Sequence, residues 1–495
     1  MENREKVVRL LDHRELQPTI DGSNSLPLKL PSIILVNPWI HDFAAYDLWL
    51  KPLGLLYVAA HLERHGFKVQ LIDCLDYGRK PKQYGCSKFH SEEITKPCHF
   101  QNIPRKYKRY GMPPEVFTRL LMGINEQADE PVLIGVTSMM TYWHQGVSET
   151  IRYIKEVFTG TPVVLGGVYA TLCYKHALKK SGADHVIQGP GEEAVLNLAR
   201  KLAPIDRSTG RPADRQIDYP AYYLYDNLQS VAMLTSWGCP FRCSYCSSAS
   251  LSDKFTQRPA GEVLDEMEYY HKQLGVTDIA FYDDALLANP VRSGHDGNNN
   301  CFDNLNAPIS GASNGASAET HIHPILDGII RCGLNRKLRF HTPNGLHIKY
   351  IDKLLAQKLY KANFKTIRLG FEGMDEHKAS PEQLAGVIAY LKEAGFTAEN
   401  IGVYVLMGRP SQNLDEIDRA IEFVHHCGAQ VRISQYSPVP GSADFAKLLP
   451  LYPDLETEPL LHNKSVYYCH NVGRRFDEFE TLKLKAKRLN AEILR

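Results

Sequence analysis

The sequence lacks three features that would each point to a particular class of protein. It has no apolar run near the roughly 20 residues that a membrane helix needs, and its charged N-terminus, MENREKVVRLLDHRELQP, does not read as a secretory signal. It also lacks an excess of one charge, because 57 Lys plus Arg nearly balance 56 Asp plus Glu. No overall field therefore attracts nucleic acid or an anionic membrane. These absences predict an unexported, cytoplasmic protein without a membrane span.

The cysteines and the length set the next limits. Eleven scattered cysteines without a secretory signal fit a reducing compartment better than a disulfide framework, so the thiolates are free to hold metal. A chain of 495 residues exceeds what one hydrophobic core usually supports. We divide it into an N-terminal extension (1–30), a first domain (31–202, with an insertion at 77–130), a linker (203–222), a second domain (223–445) and a helical C-terminal segment (446–495).

The first domain alternates strand patterns with helix patterns. Apolar runs that predict buried strands are 32–38, 68–76, 131–139, 162–170 and 185–190, with helices predicted at 52–66 and 191–202. This order predicts a doubly wound, flavodoxin-like parallel sheet of α/β class. Ligands bind such sheets at the carboxyl ends of the strands, where the loops here are small, polar or glycine-rich. The alternative is that these glycines only turn the chain.

The insertion at 77–130 contains two weaker signals. Arg105, Lys106, Lys108 and Arg109 alternate with Tyr107 and Tyr110, which suggests RNA or phosphate contact, although short basic stretches are more often solvated loops. Cys86, His90 and Cys98 suggest a second metal site, but their spacing matches no usual pattern and favours free thiols.

A cysteine triplet opens the second domain. Cys239, Cys243 and Cys246 follow an apolar strand with the spacing C-x3-C-x2-C. A structural zinc site normally needs four protein ligands, and no fourth cysteine or histidine lies close by in sequence. Three thiolates on a 4Fe-4S cluster leave one iron with an open position. The triplet favours the cluster, with zinc held by a distant fourth ligand, or inert thiols, as the alternatives.

The rest of the second domain repeats a strand–helix pattern. Counting the cysteine strand, six units are predicted, which make an open, partial (βα)6 barrel with its active-site groups at the carboxyl ends of the strands. A Gly-, Asn- and Ser-rich stretch at about 291–321 predicts a mobile insertion. Polar residues stand at the predicted strand ends, and each has an alternative role as a helix cap or loop residue: Asp283, Asp284, Asn344, Glu372 and Gln435.

Both domains resemble a known family. The triplet within SWGCPFRCSYCSS resembles the cluster motif of radical S-adenosylmethionine (SAM) enzymes very specifically. The segments KPLGLLYVAAHLERHGFKVQLIDC, IGVTSM, VVLGGVYAT and GADHVIQGPGEEAV resemble, in that order, the cobalamin-binding domain that precedes radical SAM domains of the class B type. Two departures are the absence of an Asp-x-His-x-x-Gly motif for a lower histidine ligand and the replacement of Gly-Gly-Pro-His by Gly166-Gly167-Val168-Tyr169.

The resemblance implies roles for individual residues. Cys239, Cys243 and Cys246 would hold the 4Fe-4S cluster, Tyr245 would lie beside the adenine of SAM, and the backbone of 406–408 would flank it. Asp283 and Asp284 would bind the SAM amino group, with Asn344 and Glu372 on its carboxylate or ribose and Gln435 also contacting SAM. The implied cobalamin contacts are Leu53, Gly54, Thr137, Ser138, Met139, Gly166, Gly167, Val168, Tyr169, Gly189, Gly191 and Glu192.

The implied activity is cleavage of SAM to a 5'-deoxyadenosyl radical that abstracts hydrogen from an inert carbon, followed by methylation or rearrangement. The expected partners are a small-molecule or peptide substrate and a one-electron donor such as flavodoxin or ferredoxin, but not nucleic acid. One competing hypothesis is a radical SAM enzyme whose first domain is a cobalamin-free scaffold. Another is a metal-binding regulatory protein that contacts RNA through 105–110. A tRNA methylthiotransferase is disfavoured, because neither a second upstream triplet nor a terminal RNA-binding barrel is found.

Overall fold

The structure is a computed structural model. It describes residues 30–49, 51–78, 87–127, 130–204, 219–288, 321–374, 378–410, 412–470 and 476–494. Most of the predicted N-terminal extension, linker and 291–321 insertion, together with Cys86, lies outside the described residues. Within the described ranges, no helix combines the length and apolar character that crossing a membrane requires.

The strands are numbered in chain order. They are β1 Ser32–Asn37, β2 Ile40–Asp42, β3 Lys68–Asp73, β4 Ser91–Glu93, β5 Lys108–Tyr110, β6 Leu133–Val136, β7 Val163–Leu165, β8 His185–Val186, β9 Ser230–Met233, β10 Ser236–Trp237, β11 Thr256–Gln257, β12 Asp278–Phe281, β13 Arg339–His341, β14 Leu346–His347, β15 Phe364–Glu372, β16 Ile401–Met407 and β17 Gln430–Gln435.

The α-helices are numbered in the same way. They are α1 Leu53–Arg64, α2 Pro114–Gln127, α3 His144–Val157, α4 Val168–Leu172, α5 Tyr174–Lys180, α6 Glu192–Leu202, α7 Ser248–Leu251, α8 Ala260–Leu274, α9 Ile322–Arg331, α10 Lys353–Lys361, α11 Pro381–Ala394, α12 Leu414–His426, α13 Ala443–Leu448, α14 Lys464–His470 and α15 Phe476–Ile493.

The chain divides into two compact units. Unit 1 comprises Met1–Val231, Ser244–Leu251 and Tyr436–Phe476, and unit 2 comprises Ala232–Cys243, Ser252–Gln435 and Asp477–Arg495. The predicted C-terminal segment is therefore shared, with its first part in unit 1 and the body of α15 in unit 2.

Unit 1 is built on a five-stranded sheet with the order β3-β1-β6-β7-β8, in which every pair is parallel. Successive residues of a strand point to opposite faces of the sheet. Accordingly, Ile34 and Val36 of β1 belong to one hydrophobic cluster, and Ile33 and Leu35 to another. Both faces are therefore covered, and the doubly wound, flavodoxin-like α/β fold is confirmed.

Helix α2 joins the first two strands of this sheet to the third. It lies within the segment that the sequence assigned to an insertion, yet Phe117, Leu121 and Ile124 belong to the same buried cluster as β1. The segment therefore supplies a crossover helix of the α/β fold. It also supplies β4 and β5, which form a small antiparallel sheet with β2 in the order β2-β5-β4.

Several side chains of the basic stretch at 105–110 make contacts within unit 1. Tyr107 and Tyr110 are buried, so their rings do not offer faces for base stacking. Arg109 donates to Glu149 at 2.7 Å, and Lys106 pairs with Glu93 at 2.7 Å. The two tyrosine rings and Arg109 are thus engaged within unit 1, whereas Lys106 forms its ion pair at the surface.

Unit 2 contains the strand–helix repeat that the sequence predicts. Six strands follow one another in the order β9-β12-β13-β15-β16-β17, with β14 as an additional partner of β15. The registered pairs between these strands are parallel, for example β16 with β17 from Gly402↔Gln430 to Met407↔Gln435. The order in the sheet equals the order in the chain, and the partial (βα)6 prediction is confirmed.

Several strands end earlier than the sequence predicts. The run 162–170 was predicted as one strand, but β7 ends at Leu165 and α4 begins at Val168. Gly167, with φ +95°, lies between them and turns the chain. Helix α11 begins with a capping box, because the Ser380 side chain accepts from the Gln383 N–H and the Gln383 side chain accepts from the Ser380 N–H.

Candidate functional site

The cysteine loop is closed at its base by a short antiparallel ladder. Ser236–Trp237 (β10) pairs with Thr256–Gln257 (β11). Gly238 follows directly with φ +74°, and a Cβ at this position would lie 2.2 Å from the backbone oxygen of Lys254. Because no other side chain fits there without moving the backbone, glycine fixes the direction in which the loop leaves the ladder.

The three cysteines of this loop differ in exposure. Cys239 and Cys243 are half-buried and Cys246 is exposed. The backbone N–H of Ser248 donates to the sulfur of Cys246 at 3.4 Å. None of the three is used in a disulfide, so each sulfur is available as a metal ligand.

A buried ion pair lies close to two of these thiols. Glu372, at the end of β15, accepts from Lys378 at 2.9 Å, and it has the unusual backbone φ of +71°. Burial lowers the pKa of Lys378, but Glu372 and the thiolates of Cys243 and Cys239 raise it, so that the net pKa lies above its ordinary value. A permanent cation beside thiols favours their anionic, metal-binding form. Lys378 was not predicted from the sequence, because it belongs to no motif and has no regular spacing from the cysteines.

Asp283 holds the strand that leads into the cysteine loop. Its Oδ1 accepts from the backbone N–H of Thr235 at 2.9 Å, from the Thr235 hydroxyl at 2.8 Å and from the Ser236 hydroxyl at 2.6 Å. Its Oδ2 is buried without a hydrogen-bond partner. Burial raises the pKa of Asp283 to about 6 despite these hydrogen bonds. The carboxylate thus supports the loop from behind, while the neighbouring Asp284 is exposed.

Asn344 connects the ends of two neighbouring strands. Its side-chain amide donates to the backbone oxygens of Tyr282 at 3.0 Å and Asp283 at 3.1 Å. These bonds use both amide hydrogens, so the side-chain oxygen is the group that Asn344 has left for a ligand. The structure therefore brings Asn344 to the strand end that also carries Asp283.

The other predicted SAM residues are placed as follows. Gln435 ends β17 and is half-buried, as is Tyr245. The backbone of 406–408 is already bonded within the unit, because the Leu406 oxygen accepts from the Gln412 side chain at 2.9 Å and the Gly408 N–H donates to it at 2.8 Å. These two backbone groups are satisfied by Gln412, which sequence inspection did not single out.

In unit 1, the loops after β6 and β7 are locked together. The Ser138 hydroxyl donates to the Gly166 oxygen at 2.6 Å, and the Val168 N–H donates to the Ser138 oxygen at 2.9 Å. A Cβ at Gly167 would lie 2.3 Å from that same Ser138 oxygen. The predicted contacts Ser138, Gly166, Gly167 and Val168 therefore form one rigid pair of loops at the carboxyl edge of the sheet.

Three of the predicted glycines face open space. A Cβ at Gly54, Gly166 or Gly189 would meet no atom within 4 Å. The N–H of Gly189 is held by the Thr171 hydroxyl at 3.1 Å. Backbone without side chains next to open space permits close approach of a large planar ligand. Because of this open space, the carboxyl edge of the unit 1 sheet fits a bulky cofactor.

Tyr169 is placed differently from the other predicted contacts. It is fully buried, and its hydroxyl forms a hydrogen bond of 2.7 Å with Nδ1 of His176. Its ring stacks on His144 at 5.7 Å between centroids. Its side chain is therefore engaged inside unit 1.

The remaining predicted cobalamin contacts are half-buried Thr137, exposed Met139, half-buried Gly191, and Leu53 and Glu192 as the first residues of α1 and α6.

The second suggested metal site does not form from the described residues. Cys86 lies outside them, and Nδ1 of His90 is 3.0 Å from the oxygen of Gly111. Cys98 is exposed, with its sulfur 3.5 Å from Nδ1 of His99. Within the described ranges, the group with the geometry to hold a metal is a different one, His144, His176 and Glu458.

Two family models match the chain. The model of the Radical SAM superfamily matches residues 233–424, which span the cysteine triplet and the strand–helix repeat of unit 2. The model of the B12 binding domain matches residues 124–199, which span β6 to β8 of unit 1.

Curated proteins match with low identity over part of their length. An uncharacterised methyltransferase of Pyrococcus horikoshii is 22% identical over 271 residues, which cover 49% of this chain and 50% of that protein. The anaerobic magnesium-protoporphyrin IX monomethyl ester cyclase of Rubrivivax gelatinosus is 25% identical over 31% of this chain and 33% of its own. Cytidylyl-2-hydroxyethylphosphonate methyltransferase of Streptomyces wedmorensis is 20% identical over 51% and 55%. The chain spans about half or less of these relatives.

A solved structure has the same fold over most of the chain. It is the radical S-adenosylmethionine methyltransferase TsrM of Kitasatospora setae with cobalamin and a [4Fe-4S] cluster bound. It superposes with a TM-score of 0.57 at 16% identity, covering 86% of this chain and 75% of that one. At this identity the likeness establishes the fold.

Proposed function

Because the chain belongs to the radical SAM superfamily and carries a B12 binding domain, we propose that it is a cobalamin-dependent radical SAM enzyme that methylates an unactivated carbon. The observation that carries the proposal is the loop with three cysteines outside any disulfide, fixed by Gly238 and Asp283 at the first strand of a partial (βα)6 unit. When bound, the cluster and SAM supply a carbon-centred radical, and cobalamin supplies a methyl group.

Cys239, Cys243 and Cys246 are proposed as the cluster ligands. The set is three thiolates, which suits a cluster with one iron open to a further ligand. Lys378 contributes a positive charge close to Cys239 and Cys243, which stabilises anionic sulfur there.

The SAM-binding groups are proposed at the strand ends of unit 2. Asn344 offers its side-chain oxygen, and Glu372 offers a carboxylate that Lys378 orients. Both are acceptors, which suits the ribose hydroxyls of SAM. Asp283 acts as a positioning residue for the cysteine loop, because its Oδ1 is already bonded to Thr235 and Ser236. Tyr245, Asp284 and Gln435 remain proposed contacts on the sequence resemblance.

Cobalamin is proposed to bind at the carboxyl edge of the unit 1 sheet. Gly54, Gly166 and Gly189 leave open space there, and Ser138 with Gly167 holds the two central loops rigid. Leu53, Thr137, Met139, Val168, Gly191 and Glu192 complete the proposed contacts, whereas the buried Tyr169 supports the loops from within.

The reaction outcome and the partners complete the proposal. Two of the three relatives described above are named as methyltransferases, which supports methyl transfer over the ring formation named in the cyclase. The substrate is proposed to be a small molecule or peptide, with a flavodoxin or ferredoxin as electron donor. A cytoplasmic setting is part of the proposal, because the cluster thiols have to stay reduced.

The first test is cobalamin binding by the anaerobically purified chain. Titration with hydroxocobalamin, followed by its absorption spectrum, is expected to give one equivalent bound. Gly166→Val places two methyl groups in the open space and is expected to weaken binding at least tenfold, with an unchanged melting temperature. Gly261→Val, which also projects into open space but lies in α8 of unit 2, is the matched control.

Two outcomes would contradict this part of the proposal. Failure of the wild-type chain to bind hydroxocobalamin would favour the hypothesis that unit 1 is a cobalamin-free scaffold. Turnover that consumes SAM with a deuterated methyl group, but never delivers that methyl group to a product, would favour ring formation or rearrangement over methylation.

A further inference from the structure

Three side chains from separate parts of unit 1 converge at one point. His144 is the first residue of α3, directly after a 3-10 turn at Thr141–Trp143, and His176 lies in α5. Glu458 comes from the distant C-terminal segment, immediately before the 3-10 turn Pro459–His462. None of the three belongs to the cysteine loop or to the proposed cobalamin contacts.

The donor atoms of these residues are close enough to share one ion. One ring nitrogen from each histidine and one carboxylate oxygen all lie within 4.8 Å of one another. Nε2 of His144 is 3.7 Å from Oε1 of Glu458, and the two imidazole centroids are 4.7 Å apart at an interplanar angle of 73°. Donors at 2.0–2.2 Å from a tetrahedral zinc ion are about 3.3–3.6 Å apart. From the observed spacing of up to 4.8 Å, the donor atoms would have to move closer to one another by at most about 1.5 Å.

An independent observation points into the same space. Nε2 of His144 is buried and has no hydrogen-bond partner, and the residue as a whole is only 8% exposed. A buried polar atom without a partner costs about 1–3 kcal/mol, so native proteins rarely keep one unless something binds it. A metal ion between His144 and Glu458 would satisfy this nitrogen.

Surrounding groups orient the other two ligands. The Tyr169 hydroxyl is bonded to Nδ1 of His176 at 2.7 Å, which leaves Nε2 as the nitrogen available to an ion. The backbone N–H of Leu460 donates to Oε1 of Glu458 at 3.0 Å. Metal-binding histidines and carboxylates are usually held in this way by a second set of hydrogen bonds. The buried Tyr169 is therefore placed to orient the ring of His176.

We propose that His144, His176 and Glu458 bind a divalent transition-metal ion, with zinc as the ion that best suits the set. Two imidazoles and one carboxylate are a recurrent three-ligand set that leaves a position for water or another ligand. The ion would connect Glu458 of the C-terminal segment to α3 and α5 of unit 1. The inference is independent of the proposed function.

The test uses the full-length chain with Cys239, Cys243 and Cys246 occupied by a reconstituted cluster, which keeps zinc off these three thiols. Zinc is titrated anaerobically against a chromophoric chelator, and one zinc per chain is expected. His144→Ala, His176→Ala and Glu458→Gln are each expected to weaken zinc binding at least a hundredfold. Tyr169→Phe removes only the orienting hydroxyl and is expected to weaken it about 10- to 100-fold. His185→Ala, an exposed histidine of the same sheet, is the matched control.

A second measurement needs no variant. X-ray absorption at the zinc edge of the wild-type chain is expected to show nitrogen and oxygen neighbours at about 2.0–2.1 Å and no sulfur shell at about 2.3 Å. A sulfur shell would assign the zinc to cysteines and overturn the proposal. Absence of tight zinc binding by the wild-type chain, or undiminished binding by the three ligand variants, would overturn it as well.

Discussion

At the scale of single residues, Lys378 places a positive charge near two thiols of the cysteine loop. It is paired with Glu372 at 2.9 Å, and the thiolates of Cys243 and Cys239 are close enough to raise its pKa. Reduction adds a negative charge to a cluster, and a nearby cation stabilises that charge. Lys378 is therefore expected to make the proposed cluster easier to reduce.

Lys378→Met is predicted to lower the reduction potential of the cluster. The change removes the cation and leaves the Glu372 carboxylate uncompensated, so we expect a shift on the order of 50 mV, about tenfold in the one-electron equilibrium. A redox titration followed by electron paramagnetic resonance measures it. Lys378→Arg keeps the charge and is the control. Equal potentials in the Met variant and the wild type would show that Lys378 has no electrostatic role.

Asp283 shows what the sequence predicts at this scale and what it does not. The sequence predicts Asp283 as a candidate site residue, because an apolar strand does not require an acidic side chain at its end. It does not reveal whether the carboxylate faces a ligand or the protein. That depends on Thr235 and Ser236, whose three hydrogen bonds to Asp283 arise only once β9 and β12 lie side by side.

At the scale of elements, the ladder between β10 and β11 sets the geometry of the cysteine loop. Gly238→Ala is predicted to reduce cluster content severely, because the new Cβ would lie 2.2 Å from the Lys254 oxygen in a backbone conformation with φ +74°. Left-handed conformation at a non-glycine residue costs about 1 kcal/mol or more before the clash is counted. Iron and sulfide analysis after reconstitution is the measurement.

The control for this change is Gly275→Ala. Gly275 has nearly the same backbone angle, φ +68°, but a Cβ there would meet nothing within 4 Å. Its variant should therefore carry the backbone strain without the clash, and it is expected to assemble the cluster. If Gly238→Ala assembled a full cluster too, the close approach of Lys254 would not govern the loop.

Element boundaries were predictable where the pattern is local. The capping box at Ser380 is predictable from the sequence, because its two partners are three residues apart. The end of β7 at Leu165 was not, because GGVYA continues the apolar run and only the positive φ of Gly167 stops the strand. Helix α2 was hidden within an apparent insertion, since β4 and β5 interrupt the alternation of strands and helices before it.

At the scale of the whole molecule, the order of strands explains why the fold class was predictable. In unit 2 the six main strands lie in chain order, and in unit 1 only the first two are exchanged. Such sheets follow from the alternation of strands and helices along the chain. The convergence of His144, His176 and Glu458 was not predictable, because no pattern relates residues so far apart in sequence.

The most direct test of the account is SAM cleavage by the anaerobically reconstituted full-length chain. With a chemical reductant, the wild type is predicted to contain four irons and four sulfides per chain and to form 5'-deoxyadenosine from SAM. Serine at Cys239, Cys243 or Cys246 is predicted to abolish both the cluster and the product, whereas Cys332→Ser, at an exposed free thiol, is predicted to retain them. A wild-type chain without an iron–sulfur cluster, or cleavage that survives serine at all three positions, would contradict the account.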